Sequence, residues 1–371
     1  MKRVFTLIIC LVLALPLLPA FAETKGDWAD FEVHMLNVGR NDGILIICEG
    51  EAAFIDSGSY PQGEKCRDYM LKYGVTELKY YIASHAHLDH VGGAGPIVAA
   101  LPTEKMLIGY SLALKPMLDR AEKKAEKEAI KAIPTVEVRK GDEFPLGGAV
   151  IKCIAPDKIY KVTDYRDADE NRNSLVMKVT YKNVSAVFCA DAPNEVLLKL
   201  LKEEPGALDC DIFKSPHHNQ GLTTQVYEQM KCGHFVFSTS EKYTPTAAQI
   251  NRARRTGARV FITSSRNSGA VRFKSDGETV TTQTQYSMKK TWKLGLTKVT
   301  MKVGGTKTYS QDMRTSSIVN TLYFISSDPQ IAYAEPDTGK IHAVAPGQCV
   351  IRAIAFDNTY RDIKVTVKPK Q

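Results

Sequence analysis

The hexapeptide His85-Ala86-His87-Leu88-Asp89-His90 constrains this chain more than any other stretch, because it packs four metal-ligating side chains into six residues. It follows the apolar run Tyr80-Tyr81-Ile82-Ala83-Ser84, which reads as a strand, and precedes Val91-Gly92-Gly93-Ala94-Gly95. Residues two apart on extended backbone point to the same side, so His85 and His87 can hold one ion. Asp89 and His90 must then face a second ion, which requires the chain to coil tightly. Gly92 and Gly93 let the backbone turn closely against whatever sits there. Two ions in such a site stand roughly 3.5–4 Å apart and share a water that becomes a nucleophile near neutral pH. A solvated loop with histidines by chance would not set so dense a ligand group directly after a strand.

Four ligands on one loop cannot close two coordination shells, so others must arrive from elsewhere. Asp191 ends the apolar strand Ser185–Cys189, and a carboxylate can ligate two ions at once, which a histidine cannot. Alone it reads as a helix N-cap before Pro193-Asn194-Glu195; beside the His-rich loop it reads as a bridging ligand. His217 follows the strand Cys210–Lys214 and Pro216 and is the preferred sixth ligand, with His218 the alternative. All three sites lie at strand ends, where an α/β scaffold exposes functional groups. Asp56, in Phe54-Ile55-Asp56-Ser57-Gly58, reads either as a group orienting His85 or the loop backbone or as a plain turn residue. Asp42 divides the same way. His34, His234 and His342 lack ligand neighbours and read as structural.

From Phe31 to about Tyr286, strands alternate with helices, the pattern of an α/β fold. Cys66–Tyr73 reads as a short helix. Ser111–Ile133 reads as one long, solvated helix, its charges (Arg120, Glu122, Lys123, Lys124, Glu126, Lys127) paired along the surface. Another helix starts at Thr244-Pro245-Thr246. After roughly Lys290 only short strand-like runs separated by turn residues remain, which indicates a small all-β sandwich. The expected division is a first domain over 28–288 and a second over 296–371, with the boundary between Met288 and Thr297.

At this point the chain resembles the metallo-β-lactamase-fold superfamily, and most closely the extracytoplasmic hydrolase domain of competence proteins of the ComEC type. The resemblance runs in order from Phe31 to Thr284. It rests on Val33-His34-Met35-Leu36-Asn37-Val38-Gly39 with Asp42, Phe54-Ile55-Asp56-Ser57-Gly58, His85 to Gly93, Asn171-Arg172-Asn173-Ser174-Leu175-Val176, Phe188-Cys189-Ala190-Asp191-Ala192 and Phe213-Lys214-Ser215-Pro216-His217-His218. It implies an αββα sandwich with the site at the edge between two sheets. One ion falls to His85, His87 and Asp191, the other to Asp89, His90, His217 and the shared Asp191, with Asp89 and Asp191 also counted as catalytic. Asn173 stands where lactamases place a third histidine, which argues against a lactam substrate. Three departures lie around the substrate side: Arg40-Asn41 in place of Gln-Gly, Asn219-Gln220-Gly221 after His218, and Thr244 in place of a His. The C-terminal strands resemble a group 2 bacterial immunoglobulin-like domain through Phe324 to Pro329, Gly339-Lys340-Ile341 and Ala343 to Gly347, a module that acts as a spacer or adheres to surfaces.

The chain ends and the charge bound the setting. Lys2 and Arg3, the apolar run Leu7–Leu18 and Ala20-Phe21-Ala22 read as a secretory signal over residues 1–22, which places the mature chain outside the cytoplasm. No later segment is apolar enough to cross a membrane. Eight cysteines become seven when Cys10 leaves with the signal, an odd number that argues against a fully paired disulfide framework. The formal charge of +8 favours polyanionic partners such as nucleic acid or teichoic acid. The expected activity is that of a secreted hydrolase with two divalent ions, zinc first and manganese second, acting on a phosphoester. Hydrolysis of phosphorylcholine or teichoic-acid esters is one alternative. A surface-binding protein with a structural metal site, held at the cell surface through its C-terminal domain, is the other.

Overall fold

The central strands of the first part read as largely apolar because they are covered on both faces. Leu45 and Ile47 point outward to a helix layer, whereas Ile44, Ile46 and Cys48 on the same strand point inward. Tyr81 and Ala83 divide from Tyr80 and Ile82 in the same way. A strand with two buried faces loses the polar alternation of a half-exposed one. The structure, a computed structural model, describes residues 28–109, 111–220, 222–264, 267–286, 291–308, 311–314, 322–335, 338–355 and 359–370. The expected signal segment at residues 1–22 lies outside the described residues, as does Met288 at the expected boundary.

Two mixed sheets stack face to face. The first has eight strands, in the order 280–284, 271–275, 31–35, 44–48, 51–55, 78–83, 103–108 and 135–137. The second has seven, in the order 259–262, 232–237, 210–214, 184–188, 176–181, 149–155 and 143–146. Val33, Ile46, Ile82, Ile151, Val179, Ala186 and Phe273 fill the space between them. Helices cover both outer faces, over Met70, Val91 and Ile97 on one side and Leu197, Leu200 and Ile250 on the other. The result is the helix–sheet–sheet–helix layering of a metallo-β-lactamase fold. In the first sheet Glu51–Ile55, Leu78–Ala83 and Thr103–Ile108 run parallel; in the second Val184–Phe188, Cys210–Lys214 and Cys232–Phe237 do. Parallel strands end on one edge, and that edge is where open α/β sheets carry their sites.

Two helical expectations change. The helix expected at Cys66–Tyr73 spans Tyr60–Lys72, with Pro61 in its first turn. It includes Gly63, whose place is set by packing: a Cβ there would meet the Gly93 carbonyl oxygen at 2.1 Å. Gly93 reciprocates, since its own Cβ would lie 2.6 Å from Gly63 Cα and from Ser57 O. The long helix expected over 111–133 is broken into Ser111–Ala113, Leu114–Arg120 and Lys124–Ala132. Glu126 causes the break. Its carboxylate accepts from the Glu122 and Lys123 backbone N–H groups, which starts a new helix at Lys124. It also accepts from Tyr60 Oη at 3.0 Å and is buried rather than solvated.

The C-terminal strands form a separate all-β set. Lys298–Lys302, Tyr360–Lys368, Gly347–Ala355 and Leu322–Ser326 make a four-stranded sheet, and Thr306–Lys307, Ile341–Ala343 and Ala332–Ala334 a three-stranded one. Phe324, Ile341, Ile351, Ile363 and Val365 form their own apolar core. The seven described cysteines are all free, six of them buried.

Beneath the first helix layer lies a buried polar group. His34 Nε2 donates to Glu32 Oε2 at 2.8 Å, Tyr73 Oη donates to the same oxygen at 2.7 Å, and Tyr69 Oη reaches His34 Nδ1 at 3.0 Å. Burial alone would raise the Glu32 carboxyl, but these donors outweigh it and bring it down to about 2. A carboxyl lowered in the folded state stabilises the fold above its ordinary range near 4.5 and loses that contribution as pH falls toward 2. The urea midpoint should therefore drop over that window, and Glu32→Gln should flatten the drop. Gly63→Ala, which drives a Cβ into backbone, should lower stability by about 1–3 kcal/mol in the same urea titration.

Candidate metal centre

The site is built at the ends of the parallel strands, where each sheet delivers part of it. Asp56 follows Ile55 with its backbone in the left-handed region, φ 57°. Its Oδ1 accepts from the Ser84 N–H at 2.9 Å, and its Oδ2 accepts from Ser84 Oγ and from His90 Nδ1, both at 2.7 Å. Asp56 thus pins the start of the His-rich loop and fixes the tautomer of His90 rather than that of His85. With Nδ1 donating, His90 Nε2 is left as the ligand atom, the arrangement usual for a metal-binding imidazole. Glu170 holds the loop from the other side, accepting from the Ala86 N–H at 3.0 Å. Asn173 spends its amide on Glu170 and on both polar groups of the Tyr160 backbone, so it is fully committed away from the cluster.

The second sheet brings Asp191 and the two late histidines. Asp191 caps no helix: the following helix, Asn194–Glu203, has Pro193 at its cap. The Asp191 N–H instead donates to Ser174 Oγ at 3.3 Å, and the carboxylate turns inward. His217, His218 and Asn219 are three consecutive residues with positive φ (49°, 50° and 78°), a backbone that non-glycine residues rarely adopt. That turn sends the two imidazoles to different places. His218 is fully buried, with Nε2 3.4 Å from Asp89 Oδ2 and 3.6 Å from Asp191 Oδ1. His217 stands at the rim with a third of its side chain exposed, its Nε2 3.8 Å from Asp191 Oδ2. Gln249, in the capping box of helix Ala247–Arg255, locks the turn by donating to the Asn219 carbonyl.

Ligand atoms of Asp89, His90, Asp191 and His218 all lie within 4.8 Å of one another. His218, the alternative in the sequence, joins this group; His217, the first choice, lies beside it. His85 and His87 form the neighbouring pair, with Nε2 and Nδ1 3.1 Å apart and the His85 ring centroid 4.2 Å from that of His90. His87 Nε2 also reaches the Asp167 carbonyl at 3.0 Å. Six residues therefore line a candidate dinuclear centre: His85, His87, Asp89, His90, Asp191 and His218. Asp42 and Lys214 lie behind it. Lys214 Nζ pairs with Asp42 and donates to the Ala190 carbonyl at 3.0 Å. Asp42 Oδ1 is 3.5 Å from His218 Nδ1. Lys214 and Glu170 carry no motif of their own, although a lysine ending an otherwise apolar strand is a signal that could have been followed.

The electrostatics describe buried charge in need of partners. Burial opposes ionisation of Asp191, but His218 and His90 outweigh it and hold its carboxyl well below the usual range. Burial also opposes a charge on His90, yet Asp191 and Asp56 keep it well above the ordinary imidazole value. Burial and the neighbouring His90 push His85 well below that value. Asp42 overcomes the burial of Lys214 and keeps it an ammonium. The fit to metal rests on one observation: His90 Nε2, Asp191 Oδ1 and both ring nitrogens of His218 are buried and converge without a well-aligned hydrogen bond, His90 Nε2 and Asp191 Oδ1 lying 3.1 Å apart. Buried polar atoms are normally paired. Imidazole nitrogens and carboxylate oxygens converging on one point are a donor set for a divalent ion. Asp56→Asn should remove the acceptor that fixes His90 and weaken metal affinity about 10–100-fold in a chelator competition, with the urea midpoint of the metal-free protein much less affected.

Residues 38–159 match the sequence model of the Metallo-beta-lactamase superfamily, a span that includes the His-rich loop and stops short of Asp191. No curated protein matches the chain. Solved structures similar to it include a Cronobacter sakazakii metallo-beta-lactamase described by its HARLDQ motif, 18% identical, over 45% of this chain and 61% of that one, with TM-score 0.31. They include the flavodiiron protein of Giardia intestinalis, 14% identical, over 41% of this chain and 32% of that one, with TM-score 0.30. CmlA, a diiron β-hydroxylase from Streptomyces venezuelae, is 12% identical over 63% of this chain and 44% of that one, with TM-score 0.36. Over residues 38–159, then, the chain is similar to the Metallo-beta-lactamase superfamily, in keeping with the sheet layering and the ligand cluster.

Proposed function

We propose that this chain is a secreted, metal-dependent hydrolase of phosphoester bonds. His85, His87 and Asp191 would hold one ion, and Asp89, His90 and His218, with Asp191, the other. The observation that carries the proposal is the set of buried, unpartnered ligand atoms drawn from three separate chain segments. Divalent ions bound there supply Lewis acidity and bring the ionisation of a bound water toward neutral pH. The chain's own residues do the rest. Asp56 and Ser84 hold the His-rich loop and present His90 Nε2. Ser174 holds Asp191 by its backbone. Asp89, with 43% of its side chain exposed, marks the edge from which substrate reaches the cluster.

An anionic substrate agrees with the charge of the whole chain, +8 with an isoelectric point near 8.9. A phosphodiester suits two ions because its attacking and leaving oxygens can each be met. Nucleic acid and cell-wall polymers both offer that group. Zinc fits the mixture of imidazole and carboxylate, and manganese is the second choice. The location outside the cytoplasm rests on the charged start, apolar run and small-residue site of residues 1–22. The C-terminal strands, read as an immunoglobulin-like module, serve as a spacer or surface anchor.

The purified protein should contain about two divalent ions per chain and hydrolyse bis-p-nitrophenyl phosphate in a chelator-sensitive way. Asp191→Asn should lower kcat/KM by more than the roughly 100-fold typical of groups that only orient a ligand. Full metal occupancy without phosphoester turnover, or an active Asp191→Asn variant, would overturn this reading.

A further inference from the structure

Two residues before the buried Asp42, the turn that opens at Gly39 carries Arg40. The turn is rigid. Asn41 donates to the Val38 carbonyl at 2.8 Å and accepts from the Ser59 N–H at 3.1 Å, while Ser238 Oγ donates to the Asn41 carbonyl at 2.8 Å. The Arg40 guanidinium lies over the Tyr243 ring, 4.7 Å from its centroid. Its Nε is buried with no hydrogen-bond partner. Tyr243 is itself tied to the metal loop, because its backbone carbonyl accepts from Asn219 Nδ2 at 2.6 Å and from Thr239 Oγ1 at 3.0 Å. Asn219 belongs to the same left-handed turn as His217 and His218, so the Arg40–Tyr243 stack is tied to the segment that carries the rim histidine.

A guanidinium stacked on a ring keeps its plane fixed and its N–H fork free. Nothing in the cluster's own chemistry needs it, since Asp42 is neutralised by Lys214 and Asp191 faces His90 and His218. A fixed fork beside a carboxylate-rich centre is suited to the non-bridging oxygens of a phosphoryl group.

We propose that Arg40, held on Tyr243 beside His217, is the positioning residue that anchors the phosphoryl group of the substrate at the rim of the metal centre. This rests on the phosphoester reading above. His217, which the buried cluster does not take up, then lines the same anion subsite. The anchored chemistry is a phosphodiester, whether from nucleic acid or from a cell-wall polymer.

The test compares Arg40→Ala with wild type and with Lys124→Ala, a control that removes a distant cation whose side chain is 90% exposed. Calorimetry with inorganic phosphate on the metal-loaded protein should show binding weakened about tenfold in Arg40→Ala and unchanged in the control. With bis-p-nitrophenyl phosphate the loss should fall on KM rather than on kcat. A deoxyoligonucleotide and poly(glycerol phosphate), used as competitors, separate the sources: the one whose inhibition constant rises in Arg40→Ala is the polymer bound. Equal phosphate affinity and equal KM in all three proteins would overturn the proposal while leaving the hydrolase standing. Arg40-dependent phosphate binding without turnover would do the reverse.

Discussion

Buried negative charge is the constraint on which the rest of the structure depends. Asp42, Asp56 and Asp191 are each almost fully buried, and all lie against the same histidines. Carboxylates cannot be removed from water in such company unless cations meet them. Lys214 meets one, His90 lies between two others, and the remaining demand is concentrated where atoms of His90, Asp191 and His218 have no partner. The strand order, the strained turns and the close glycine contact all serve to hold those charges at fixed separation.

Backbone strain shows how firmly the site is held. Of the seven described non-glycine residues with positive φ, five (Asp56, Ala190, His217, His218 and Asn219) are at this edge. Such conformations persist only where surrounding contacts over-determine them, and they gather at functional sites. Here the contacts are identifiable: the Asp56 N–H donates to Ile82, the Ala190 carbonyl accepts from His217 and Lys214, and Asn219 is held between Tyr243 and Gln249.

The His-rich loop was legible because its ligands are neighbours in sequence, so a local rule about extended backbone sufficed. Asp191 was legible from its place at a strand end. The division of labour between His217 and His218 was not, because adjacent residues on regular backbone give no reason to send one imidazole inward and the other to the rim. Only the left-handed turn decides it. Lys214 and Glu170 were missed for a different reason. Their roles depend on partners 172 residues away at Asp42 and 84 residues away at Ala86, and no local pattern records those contacts. Glu126 misled in the opposite sense: in a charged stretch it reads as solvated, yet Tyr60 from another helix buries it.

The ligand set is also divided between the two sheets: His85, His87, Asp89 and His90 hang from the first, Asp191 and His218 from the second. Any ion seated among them would therefore add a cross-link at the open rim of the sandwich, joining two halves that elsewhere share an apolar core and a few polar pairs such as Lys214–Asp42 and Tyr181–Glu49. Metal occupancy would then help decide how readily the layers part at that rim.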